Sequence, residues 1–222
     1  AGSDSPRTEK DPTNPLTAYA KSKIGTEEAL KEIDSLGSTK ITCLRFATAC
    51  GYSPNLRLDL VLNDFVATAI TTNAIKILSD GSPWRPLIDV EDMARALYWS
   101  CERESGESLE IINIGSEAWN YQIKDLADST KSVLGENISI DINSNAAPDK
   151  RSYRVSFEKF FSLAPKEFTP QITLKESIKR IFEGIEPYKS ELFLNRNHLI
   201  RLSVLRDHKN MKHLDQNLFW KD

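Results

Sequence analysis

Short β-branched runs alternate with amphipathic stretches along this chain, and the alternation predicts an α/β protein with a mainly parallel sheet. Two segments carry the reading. Leu109-Glu110-Ile111-Ile112-Asn113-Ile114-Gly115 is a nearly continuous apolar run of strand length, as a buried parallel strand requires. Between Thr17 and Gly37, apolar Ala20, Ile24 and Leu30 recur at helical spacing with charged residues between them. The chain has 222 residues, 40% hydrophobic and 27% charged, enough to bury a core without staples. That balance excludes a disordered tail, a disulfide miniprotein and a collagen-like fibre.

In chain order, residues 1–16 are polar and punctuated by Pro6, Pro12 and Pro15, which predicts an extended arm or loop. Thr17 can cap the helix that follows. Residues 40–47 read as a buried strand that runs into a loop at Gly51 and Pro54. A helix is expected over 59–72 and a short strand over 75–78, stopped by Asp80-Gly81-Ser82-Pro83. Residues 86–90 are extended. A helix follows over 91–101 with Met93, Ala96 and Leu97 on one face, and then comes the 109–115 strand. A further amphipathic helix spans 121–134. Ile138-Ser139-Ile140-Asp141-Ile142 alternates as a strand does, and 143–150 is a loop. Helical patterns return at 157–163 and 174–185. From Pro187 the chain is rich in Lys and Arg, holds all three His, and reads as a peripheral helix or arm.

Lys plus Arg is 29 and Asp plus Glu is 32, a net charge of -3, which argues against nucleic acid as a partner. No apolar run reaches membrane-spanning length, so no membrane partner is expected. Cys43, Cys50 and Cys101 form no CxxC or Cys/His cluster and read as buried reduced thiols of a cytoplasmic protein. The three His have no matching ligand or triad partners, so no metal site is expected. The polar start carries no signal-peptide core. The chain begins at Ala1 rather than Met, as a processed or cut product does.

A parallel α/β protein that holds a dinucleotide places glycines two and three residues apart between a strand and a helix. Here no two of the nine glycines stand closer than Gly106 and Gly115. The chain therefore carries no Gly-rich phosphate cradle, and its strand count is low for a complete doubly wound sheet.

The segment with chemistry is Tyr19-Ala20-Lys21-Ser22-Lys23. Tyr19 and Lys23 stand four apart on one helical face. An ammonium beside a phenol favours phenolate. Bringing a tyrosine from about 10 to about 7 needs roughly 4 kcal/mol, more than one lysine need supply, and a cationic cofactor ring would add to it. The product is a general acid/base for a hydroxyl near neutral pH.

In that setting, Asn14 to Lys23 resembles the catalytic helix of the extended short-chain dehydrogenase/reductases, the NAD-dependent nucleotide-sugar epimerases and dehydratases. The similarity continues in order. Leu44-Arg45-Phe46-Ala47-Thr48-Ala49-Cys50-Gly51 resembles the family's next strand and loop, and Leu60 to Phe65 its substrate-facing helix. Asp80 to Ala96 is similar to its DGxxxRxxxxVxDxARA signature. Asn113-Ile114-Gly115 resembles its NIG strand end, and Lys150 to Val155 its late RxY segment. The match covers roughly residues 12–185.

The resemblance implies an incomplete Rossmann-like parallel sheet, its C-terminal part, with a small α/β substrate-binding subdomain. It implies catalytic helix and strand over 1–58, substrate subdomain interleaved with the last Rossmann-like strands over 59–185, and a tail over 186–222. Tyr19 would be the acid/base on a sugar hydroxyl, and Lys23 would bind the nicotinamide ribose and tune Tyr19. Phe46 and Ala47 would border the nicotinamide. Thr48, Asn63, Lys76 and Leu78 would line the sugar nucleotide, and Arg85 and Arg151 would pair with its diphosphate, since guanidinium forks suit phosphate oxygens. Read from the residues alone, Asn113 satisfies backbone groups at its strand end, and Asp92 is structural and fixes the start of its helix. The partner is a nucleotide-diphosphate sugar, the cofactor NAD with NADP left open, and the YxxxK helix would help build a homodimer.

The family's Gly-rich NAD loop and the upstream Ser/Thr that assists its tyrosine have no counterpart here, and Ser3 and Ser5 stand too close to Tyr19 to replace the latter. Thr48 occupies a position where many relatives have Asn, and Leu78 one where some have an aromatic residue. The expected activity is reversible hydride transfer at a sugar carbon, with the chain inactive by itself. A non-catalytic sugar-nucleotide-binding or structural remnant and an NADP-linked keto-sugar reductase are the alternatives.

Overall fold

The computed structural model describes residues 5–33, 37–104, 106–146 and 152–221. The chain forms two compact units, each assembled from three stretches: 1–49, 83–122 and 148–172 in the first, 50–82, 123–147 and 173–222 in the second.

The first unit holds helix α1 (Ala18–Lys31), strand β1 (Ile41–Phe46) and strand β2 (Thr48–Cys50, whose last residue belongs to the second unit). Strand β4 (Trp84–Asp89), helix α3 (Val90–Glu102), strands β5 (Leu109–Ile114) and β6 (Asn120–Gln122) and helix α5 (Glu158–Leu163) complete it. Strands β1 and β5 pair in parallel, in register from Ile41 opposite Leu109 to Phe46 opposite Ile114. Strands β2, β4 and β6 form a separate three-stranded sheet in which β4 and β6 run antiparallel. Two short strands, β2 and β6, therefore lie where the sequence suggested loop and helix. The polar arm is docked as well: Arg7 and Val155 form a parallel bridge, with Arg7 N–H donating to Arg154 O and Ser156 N–H to Arg7 O, both at 2.8 Å.

The core of this unit is built from Ile88, Ala96, Trp99, Ile112, Ile114 and Phe160, with Trp99 and Phe160 edge to face at 5.4 Å. Leu97, expected on the buried face of α3, is half exposed. The inner face runs through Asp92, Ala96 and Trp99, because buried Trp99 and the Asp92 carboxylate that binds the Gln171 and Ile172 amides are on the packed side, and Leu97, about 100° round from Ala96, falls outside it. Asp92 also does something other than starting its helix. Asp89 caps α3 by accepting from Glu91 N–H at 2.9 Å. Asp92 instead accepts from Gln171 N–H at 2.9 Å and Ile172 N–H at 3.1 Å and pairs with Arg95, which ties a segment eighty residues away to α3. Burial pushes its carboxyl up against the pull of those donors.

In the second unit, helix α2 (Val61–Thr72) packs with strand β3 (Ala74–Ile77) and helices α4 (Ile123–Leu134) and α6 (Leu174–Ile185). Strand β7 (Ser139–Ile142) pairs with β3 in parallel. Leu62, Phe65, Val66, Leu126, Ile178 and Ile181 are buried here. Thr173 and Glu176 close a capping box on α6, each satisfying the other's backbone amide. The tail is helical, as α7 (Lys189–Asn195) and α8 (Arg201–Asn210), and α8 buries no residue. Leu58 N–H to Leu199 O at 3.0 Å and an Arg196–Asp64 pair tie the tail back. Of the three thiols only Cys50 is fully buried; Cys43 is half-buried and Cys101, near the end of α3, is exposed.

The end of β5 is closely packed. A Cβ on Gly115 would lie 2.7 Å from two ring atoms of Phe157 and 3.1 Å from the Ala47 Cβ, so nothing larger than hydrogen fits. Gly115→Ala is expected to cost about 1–3 kcal/mol of stability in urea unfolding, and an unchanged midpoint would contradict this packing. Nearby, burial is the largest influence on Glu110 and raises it, yet the Lys159 ammonium at 2.6 Å and Glu107 N–H together hold it below the usual glutamate range. That stabilisation is complete above about pH 4.3 and is lost as pH falls through the lower folded-state value. Between about pH 5 and pH 3, stability should therefore fall less steeply for Glu110→Gln than for the parent, measured by urea midpoints.

Candidate active site

Helix α1 begins where Thr17 stops being extended, and the Thr17 hydroxyl accepts from Ala20 N–H at 3.1 Å. That cap places Tyr19 in the first turn, 72% exposed. One turn on, the Lys23 ammonium lies over the Tyr19 ring, 5.5 Å from its centroid. Among the described residues Lys23 forms no salt bridge. The two groups that the sequence singled out are thus together, on the surface of the first unit.

One turn further, Glu27 is the single buried residue of α1. Arg45 of β1 grips it as a fork, Nε to one carboxylate oxygen at 2.8 Å and Nη2 to the other at 2.6 Å. This bond raises the Arg45 ionisation above its already high ordinary value, and burial does the same to the adjacent Cys43 thiol. Beyond Arg45 come half-buried Phe46 and buried Ala47, whose N–H donates to Ile114 O at 2.9 Å. Thr48 follows, half-buried in β2. The Glu9 carboxylate, on the docked arm, accepts from Asn113 N–H at 2.8 Å, while the Asn113 amide donates to Ser156 O. The Glu27–Arg45 pair escapes sequence reading because its partners are eighteen positions apart; the only signal is a carboxylate in phase with Tyr19 and Lys23.

Arg85 is half-buried on β4, its Nη1 donating to Trp84 O at 2.8 Å. Arg151 lies outside the described residues. A guanidinium absent from the sequence reading is that of Arg154, which lies over the Trp84 ring, 5.1 Å from its centroid. Tyr153 N–H donates to Trp84 O at 3.4 Å, and Trp84 N–H to the Ser152 hydroxyl at 3.0 Å, so the late RxY segment and β4 are joined.

In the second unit, Asn63 is buried and its amide is fully engaged. It accepts from Gly51 N–H at 3.0 Å and donates to Gly51 O and Arg57 O. Lys76 is exposed on β3, and Leu78 just beyond it is 85% exposed. A shallow groove between α2, α4 and α6, lined by Ile70, Leu134 and Phe182, holds none of the expected site residues. Among the described residues no group of three or more His, Cys, Asp or Glu could hold a metal ion, and no helix is long and apolar enough to cross a membrane.

The structure thus has a YxxxK pair at the capped start of a helix in the unit that holds the parallel β1–β5 pair, and comparison with known proteins supplies the family. The model of the NAD dependent epimerase/dehydratase family matches residues 1–115, and the chain belongs to that family. It is 28% identical over 171 residues to the UDP-glucose 4-epimerase of Halalkalibacterium halodurans, covering 69% of this chain and 50% of that one. It is 26% identical over 180 residues to the UDP-glucuronate 4-epimerase of Thermodesulfobacterium geofontis, covering 79% and 54%. The chain thus spans about half the length of these relatives. Among solved structures it is similar to MoeE5 in complex with UDP-glucose and NAD, with TM-score 0.69, 24% identity, and 85% of this chain and 62% of that one covered. It is likewise similar to UDP-glucuronic acid 4-epimerase from Bacillus cereus with UDP-glucuronic acid and NAD, with TM-score 0.70, 18% identity, and 85% and 58% covered. At these identities the likeness is one of fold, and the fold is Rossmann-like α/β.

Asn63→Ala would strip the partners from three backbone groups at the 51–57 turn. A loss of about 2 kcal/mol or more is expected in urea unfolding, and a loss under about 0.5 kcal/mol would contradict this role.

Proposed function

We propose that this chain carries the acid–base residues and sugar-nucleotide contacts of an NAD-dependent nucleotide-sugar epimerase or dehydratase, with a UDP-sugar as the substrate class. The observation that carries the reading is the exposed Tyr19 under the Lys23 ammonium, at the capped start of α1, in a chain of this family. The relatives in the comparison are named for UDP-glucose and UDP-glucuronate, which supports the UDP-sugar.

The residues present fit the nicotinamide end of NAD: an exposed phenol and an ammonium that forms no salt bridge among the described residues share one helix face. For the pyrophosphate, the sequence offers no Gly-rich loop. When bound, NAD supplies the hydride acceptor. Tyr19 takes the proton from a sugar hydroxyl and returns it in the reverse direction. Lys23 stabilises the phenolate and donates hydrogen bonds to ribose hydroxyls. Phe46 and Ala47 border the nicotinamide, and Arg85 and Arg151 bind diphosphate oxygens, with Arg154 held beside Trp84 as a further cation. Thr48, Lys76, Leu78 and Asn63 are assigned to the sugar nucleotide by family resemblance. Donation by the Asn63 amide to a ligand requires release of a bond to Gly51 O or Arg57 O. Pairing with a second copy through helix α1 is likewise assigned by family resemblance.

In the full polypeptide that carries this sequence, Tyr19→Phe should lower turnover of a UDP-sugar by about 10²- to 10⁴-fold. Because the side chain is exposed, thermal stability should stay within about 0.5 kcal/mol of the parent. Undiminished turnover in a folded Tyr19→Phe protein would overturn the assignment.

A further inference from the structure

Lys23 and Glu27 stand four apart on α1, a spacing at which an ammonium and a carboxylate pair across one helical turn. Here they do not. The Lys23 ammonium lies over the Tyr19 ring, and both Glu27 oxygens are held by Arg45. We propose that Arg45 is a positioning residue for the acid–base pair: by occupying Glu27 it denies that carboxylate to Lys23 and keeps the ammonium on Tyr19.

The inference rests on the roles proposed above for Tyr19 and Lys23. Its physical basis is competition for one cation. Glu27 is buried at the base of the helix and needs a positive partner wherever it finds one. With Arg45 absent, the cations within one turn of Glu27 are Lys23 and Lys31. Pairing with Lys23 draws the ammonium down the helix, away from the phenol, and puts a carboxylate beside it. Both changes disfavour phenolate. The same fork ties α1 to β1 in a set direction, alongside half-buried Ala20, Ile24 and Leu30. The other charged or titratable groups acting on the pair are Glu9 of the docked arm, which favours the Arg45 cation, Cys43 of β1, and Lys31 of α1. From β5, the register partner of Arg45 is the neutral Asn113.

The test uses the full polypeptide and follows turnover against pH. Arg45→Met should move the acid limb of the kcat profile up by about one pH unit, and Lys31→Gln in the same protein should enlarge the shift by removing the competing cation. Glu27→Gln combined with Arg45→Met should bring the limb back to within about 0.3 unit of the parent, since no carboxylate is left to capture Lys23. A merely structural pair behaves otherwise, the double variant being at least as impaired as Arg45→Met. Absorbance titration of the Tyr19 phenol, read as the difference between each protein and its Tyr19→Phe partner, reports the same displacement without cofactor. Should Arg45→Met fail to fold, Arg45→Lys, which keeps the charge and loses the fork, carries the test with a smaller shift in the same direction. If Tyr19→Phe abolishes turnover but the limb stays in place, or the double variant keeps the shift, the role of Arg45 is refuted while that of Tyr19 stands. If Tyr19→Phe leaves turnover intact, the underlying reading fails first.

Discussion

A buried carboxylate gripped by a guanidinium fork is the constraint on which the candidate site depends. Helix α1 is mostly solvent-facing and buries Glu27 alone. Half-buried Ala20, Ile24 and Leu30 share that inner side with Glu27, and the two bonds from Arg45 add a directional tie to it. A fork of two parallel N–H···O bonds fixes direction as well as distance, which a single lysine contact does not. Tyr19 and Lys23, two turns and one turn before Glu27, inherit their placement from it.

The other end of the fork is equally determined. Arg45 sits on β1, whose six residues pair in register with β5, and β5 ends in a contact that tolerates no side chain at Gly115. Ala47 and Phe157 meet there, so the backbone that continues from Arg45 through Phe46 is held by close packing. Asp92 adds a polar tie, bringing the Gln171–Ile172 amides onto α3. The distant stretches of the first unit thus share an apolar core, and a few buried polar contacts, each hydrogen-bonded, add directional ties between them. This is the condition under which buried charge is tolerated.

Much of this was legible in the residues. The Thr17 cap, the helical spacing after it and the β1 and β5 strands follow from local pattern, and the structure places them within a few residues of expectation. The Tyr19–Lys23 pair was legible because four residues on a helix is a local distance. What escaped was non-local or too short. Strands β2 and β6 are three residues each, below the length at which alternation can show. Leu97 carries the right hydrophobicity on the wrong side of α3. The Glu27–Arg45 fork, the Arg154–Trp84 stack and the engagement of Asn63 with the 51–57 turn all join residues whose meeting depends on the fold.

The central proposal is that Tyr19 and Lys23 act as a single acid–base unit. The most direct measurement is a double-mutant cycle on kcat in the full polypeptide, using Tyr19→Phe, Lys23→Met and the double variant with a UDP-sugar substrate. Residues that act as a unit are strongly non-additive, so the double variant should be no more than about threefold slower than Tyr19→Phe alone. Losses that multiply, as for two independent residues, would contradict the account.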